Sequence, residues 1–140
     1  MVKHNWILNI AAIVIMLLAS SCNKQGNSSV DGRLVGVWRL NVPLTLEILK
    51  SSNIDESVKA ELSRAYLSSE LELDTVTIEI SKDGAVKRSF PGFPVQRSEV
   101  VLIDGFYQIG NSPIVLQKDG NLRISSARSN VDLEEVWTKE

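Results

Sequence analysis

Residues Thr75–Phe90 read TVTIEISKDGAVKRSF. Val76, Ile78 and Ile80 alternate with Thr75, Thr77 and Glu79, the period-two pattern of a strand with one face buried. Lys82-Asp83-Gly84 follows, and Asp-Gly supplies the positive φ that tight hairpin turns need. Val86 to Phe90 then runs back. The same punctuation recurs downstream. Glu99 to Ile103, Asp104-Gly105 and Phe106 to Ile109 make a second hairpin. Gly110-Asn111-Ser112-Pro113 turns into Ile114 to Gln117, and Lys118-Asp119-Gly120 turns into Leu122 to Ser126. Ser129-Asn130 leads to a last strand, Val131 to Thr138, which carries Trp137. Leu34 to Leu40 is β-rich and supplies the first strand, so eight strands are expected, seven of them consecutive. A meander of that length is best closed into a barrel, because closure removes exposed strand edges.

Between the first and second strands the period changes. Pro43 interrupts the strand, and Leu44 to Lys50 places Leu44, Ile48 and Leu49 at helical spacing. Asn53 or Asp55 can cap a second helix, with Asp55 and Glu56 at its positive end. Val58, Leu62, Ala65 and Tyr66 fall on one face of it, with Lys59, Glu61 and Arg64 on others. Such a helix lies on something apolar, and it is expected to end near Ser68 to Leu71. The Phe90-Pro91-Gly92-Phe93-Pro94 stretch breaks the ladder and makes a stiff aromatic loop.

Upstream, Lys3 begins a secretory signal, Trp6 to Leu18 forms its apolar run, and Ala19-Ser20-Ser21 supplies small residues. A membrane span would need about 20 apolar residues, and this run falls short. Small residues before Cys22 resemble the lipobox of bacterial lipoproteins. Leu18, however, stands four residues before the cysteine, where the pattern usually has leucine at three. The resemblance implies a signal peptide over 1–21, cleavage between Ser21 and Cys22, and a diacylglycerol thioether on Cys22. Several acyl chains would anchor the protein stably. An unpaired thiol in a secreted protein would otherwise be a liability. Asn23 in place of an inner-membrane retention aspartate implies a cell-envelope protein on the outer membrane, facing the periplasm. Residues 22–31 are expected to be a flexible tether and 32–140 one domain.

Removing the first 21 of 140 residues leaves 119, one domain's worth. It also removes the only histidine and one of 15 basic residues, leaving 14 against 17 acidic and a formal charge of −3. Nucleic acid binding would want a clustered basic face, so no nucleic-acid partner is expected. Without a histidine or a free thiol in the mature chain, the usual nucleophile pairs and zinc sites are excluded. Gly-x-Ser-x-Gly is absent, and Glu134 and Glu135, adjacent on a strand, point to opposite faces. The chain is therefore expected not to be an enzyme, and to carry no cofactor and no metal.

Gly36-x-Trp38 in the first strand, a helical pair and then a hairpin meander resemble the calycin group, the lipocalins and fatty-acid-binding proteins. That resemblance covers roughly residues 33–138. It implies a small lipocalin-like barrel lidded by the helices, with a late arginine, Arg123 or Arg128, over Trp38. The leading expectation is a binding module for a small apolar ligand, held by Trp38, Val76, Ile78, Val86 and Phe90. The rival is a scaffold lipoprotein that docks on an envelope protein through Phe93. Each of these residues also has a plain packing role open to it: Trp38 as core, and Phe90 and Phe93 as a cover for the barrel end.

Overall fold

The computed structural model describes residues 30–126 and 133–140. The signal peptide, Ser21, Cys22, most of the tether, Arg128 and the Ser129-Asn130 turn lie outside these residues. The chain forms a closed antiparallel barrel, each strand pairing with the next and the last with the first. Its strands are β1 (Gly36–Leu40), β2 (Thr77–Ile80), β3 (Ala85–Ser89), β4 (Gln96–Ile103), β5 (Phe106–Ile109), β6 (Ser112–Leu116), β7 (Leu122–Ser126) and β8 (Leu133–Lys139). Helices α1 (Val42–Ser51) and α2 (Glu56–Tyr66) and a short 3-10 turn (Leu73–Thr75) fill the connection from β1 to β2. The expected mainly β fold, with a helical pair after the first strand, is the observed one.

Alternation sets the register. Trp38 faces Ile78, Ile78 faces Arg88, and Arg88 faces Gln96 across three successive ladders. Leu40 faces Trp137 where β1 meets β8 and closes the barrel. Inward residues of the strands meet the helices in one apolar cluster that includes Trp38, Trp137, Leu49, Leu62 and Tyr66, with β4 contributing the partly buried Val100. The Asp-Gly turns take two forms. Asp104 (φ 51°) and Gly105 (φ 83°) make the two-residue turn in which both corners are left-handed. At the other two, the aspartate carboxylate of Asp83 or Asp119 accepts from the backbone N–H two residues on. Gly84 and Gly120 then take the positive φ.

Several boundaries differ from the sequence expectation. Pro43 does not break the chain but sits in the first turn of α1, where its missing N–H costs nothing, behind an Asn41 cap whose Oδ1 accepts from the Leu44 N–H. Asp55 caps α2, and that helix stops at Tyr66. Ser112 and Pro113 belong to β6 rather than to the turn before it.

The two barrel ends differ. The helices, the Phe90–Val95 loop and the Gly110-Asn111 turn lie at one end. At the other, the N-terminal segment enters. Val30 and Leu34 are buried there, and the Asp31 N–H donates to the Tyr107 hydroxyl at 3.2 Å. The Trp38 indole donates to the Leu34 carbonyl at 2.9 Å. Gly36 (φ 141°) holds a backbone conformation that side chains rarely adopt, and a Cβ there would stand 2.7 Å from Lys139 Cε, so that lysine would have to shift. Lys139 passes over it to donate to the Arg33 carbonyl and sets its ammonium 5.3 Å from the centre of the Trp38 ring. Among the described residues, the cation over Trp38 is thus Lys139. Arg123 is on the outer face, 3.2 Å from Glu134.

Candidate functional site

The apolar residues proposed for ligand binding are all deep in the barrel. Trp38, Val76, Ile78 and Val86 are fully buried members of the common core, and Phe90 closes the helical end above them. Their positions follow from strand parity, and none of them carries a polar atom that would orient a ligand, apart from the Trp38 indole already bonded to Leu34.

A polar locus sits among them, and the sequence reading did not single it out. Arg88 shares inward parity with Val86 and Phe90, and Glu135 shares it with Leu133 and Trp137. Both side chains are buried, 4% and 3% exposed. The Tyr66 hydroxyl, carried in from the last turn of α2, donates to Glu135 Oε1 at 2.8 Å. Arg88 Nη2 lies 3.9 Å from Glu135 Oε2, within ion-pair range but too long for a hydrogen bond. The guanidinium also stacks over Trp137, 5.4 Å from the ring centre. Burial, and then the neighbouring carboxylate, hold the Tyr66 phenol well above its ordinary pKa. The phenol therefore stays a donor across the physiological range.

Next to this cluster, Gln96 Oε1, Ser98 Oγ and Trp137 Nε1 are buried polar atoms with no hydrogen-bond partner among the described residues. Gln96 is across the ladder from Arg88, and Ser98 across from Val86, so both face inward. Two residues apart on one strand, they are separated by roughly 7 Å. Trp137 lies under the Arg88 guanidinium. The locus thus presents one acceptor, one donor and one hydroxyl that can do either, beside a cation and an anion that offset each other.

Packing alone does not account for such a cluster. Burying an ion pair costs several kcal/mol per ion, and well-packed apolar residues in its place are often neutral or stabilising. Each unsatisfied buried polar group costs about 1–3 kcal/mol more. What could have revealed the locus is parity: a charged residue on the buried phase of a strand, at Arg88 and again at Glu135.

Phe93 is separate from this interior. Its N–H closes a turn onto the Phe90 carbonyl, with Pro91 and Gly92 at the corners. Its ring meets Phe90 edge-on, centroids 5.1 Å apart, and 41% of it remains exposed at the rim, beside exposed Val95. No protein family matches the chain, and no curated protein or solved structure is similar to it at a level that would show kinship.

Proposed function

We propose that this chain is a lipid-anchored lipoprotein of the cell envelope, held through Cys22 to the outer membrane and facing the periplasm. Its lipocalin-like barrel is a non-catalytic binding module for a small, mainly apolar ligand. The carrying observation is the trio of buried, unpartnered polar atoms on the inner wall, Gln96 Oε1, Ser98 Oγ and Trp137 Nε1. Those atoms are suited to an uncharged head group with both a donor and an acceptor, an amide or a hydroxy-carbonyl. A charged head would unbalance the Arg88–Glu135 pair. The walls of Val76, Ile78, Val86 and Trp38 take the apolar body, and α2 covers the entry.

The test is native mass spectrometry of the full lipoprotein, extracted gently from its own envelope. The wild type is expected to carry a stoichiometric small-molecule mass. Gln96→Leu is expected to lose it while unfolding at no lower denaturant concentration, since the change removes an unsatisfied group. Bare polypeptide from both proteins, with intact acyl groups, counts against the ligand reading.

The exposure of Phe93 and Val95 at the helical rim favours a second reading, in which the barrel docks on an envelope protein. Under it, Phe93→Ala releases a co-purifying partner and leaves any bound small molecule in place. Retention of every partner in that variant removes this reading.

A further inference from the structure

The β4–β5 hairpin ends in an apolar cap that the barrel does not use. Ile103 and Phe106 flank the Asp104-Gly105 turn as a cross-strand pair, and both point outward, 44% and 65% exposed. The β5–β6 register pairs Gln108 with Pro113, and continuing it sets Phe106 across from Val115, itself 47% exposed. Leu102, on the inner phase of β4 at the mouth, is exposed as well. Ile103, Phe106 and Val115 thus share the outer face of three neighbouring strands at one end of the barrel, with Leu102 exposed on the other face of the same hairpin tip.

That end is where the chain enters. Asp31 donates to the hydroxyl of Tyr107, the residue next to Phe106, and Val30 lies against Gly84 in the neighbouring turn. Cys22 is eight residues before Val30, so its sulfur is held within roughly 28 Å of this mouth even at full stretch. A tether that short would keep this end of the barrel near the surface in which such an anchor is embedded, at high effective concentration.

We propose that the Ile103–Phe106 hairpin tip, with Leu102 and Val115, inserts into the phospholipid surface that holds the Cys22 anchor, so that the barrel stands on the bilayer by its chain-entry end with the helical end turned away. The inference rests on the lipoprotein reading of Cys22. Charge at this mouth is mixed. Lys82 and Lys118 are exposed beside Asp83 and Asp119, and Arg33 is bonded to Asp31, whose carboxyl it draws down to about 2. The attraction is therefore apolar and holds for zwitterionic lipid. Asp104, at the apex of the turn, stays with the headgroups and keeps the insertion shallow.

The experiment uses the full acylated chain in phosphatidylcholine vesicles. Cys22 is the only cysteine, so its thioether leaves Phe106→Cys as the one thiol open to an environment-sensitive maleimide dye. Ser69→Cys, in the exposed turn after α2, serves as the control. The expected result is a several-fold rise in dye emission at position 106 on reconstitution. Quenching by lipid spin-labelled near the headgroup should accompany it, with no change at position 69. Emission at 106 that stays accessible to aqueous iodide overturns the proposal. So does protection that depends on protein concentration and is untouched by the lipid quencher, which would mean a second copy covers the tip. Dye uptake by the wild-type chain would show a free Cys22 thiol, and so would fail the anchor reading itself rather than the docking.

Discussion

Replacing Tyr66 by phenylalanine removes one hydroxyl and almost nothing else. That hydroxyl donates at 2.8 Å to the buried carboxylate of Glu135, and Tyr66 is itself buried in the core. Hydrogen bonds to charged groups contribute about 1.5–3 kcal/mol, so the variant should be less stable than the wild type by about that amount at pH 7. The alkaline limb adds a second, independent mark. The folded-state pKa of Tyr66 is raised above the unfolded value of about 10, first by burial and then by Glu135. A raised folded pKa gives stability that is complete below the unfolded pKa and is lost as pH climbs from there toward the folded value. Above pH 10 the unfolded wild type therefore loses a proton that the folded protein keeps. Its stability falls by about 1.4 kcal/mol per pH unit from this group alone. The phenyl ring of the Tyr66→Phe variant has no proton to lose. Other titrations are common to both proteins, so the gap of about 2 kcal/mol should close within roughly 1.5 pH units and then reverse. Urea unfolding of both chains between pH 7 and 12, followed by tryptophan fluorescence, measures the difference. Equal stability at pH 7, or a gap that stays constant to pH 12, would refute the placement of this phenol on Glu135.

Ile78 lies between Trp38 and Arg88 on the inner wall, fully buried. Ile78→Ala should cost about 3 kcal/mol in urea at an unchanged m-value, and a loss below about 1 kcal/mol would mean the wall there is not close-packed. Thr45, on α1, accepts the backbone N–H of Val136 at 3.0 Å through its hydroxyl, and both residues are buried. Thr45→Val keeps the shape but strands that N–H. The expected loss is about 1–3 kcal/mol, with faster amide exchange at Val136; unchanged exchange there would contradict the bond.

The meander was legible because it is written locally. Alternation in Thr75–Ile80, repeated Asp-Gly turns and the change to helical spacing at Leu44 each act over a few residues, and steric and hydrogen-bonding rules apply to them whatever lies elsewhere. The pairing of Trp137 with the first strand followed once closure was inferred, and the opposed faces of Glu134 and Glu135 followed from strand geometry alone. The helix after the first strand was expected, but its start was placed two residues late, because a proline reads as a break unless the capping residue before it is weighed, and Asn41 is that cap.

The polar locus required the tertiary structure. Tyr66 and Glu135 are 69 residues apart, and nothing near either names the other. Strand parity puts Arg88 and Glu135 on inward phases, but only closure brings them together, where low dielectric makes two buried charges beside three unsatisfied atoms costly and specific. The apolar hairpin tip is similar. Ile103 and Phe106 resemble core residues by type, and only the closed barrel, with its interior already supplied by the opposite phase of each strand, decides that they face outward beside the point where the chain comes in.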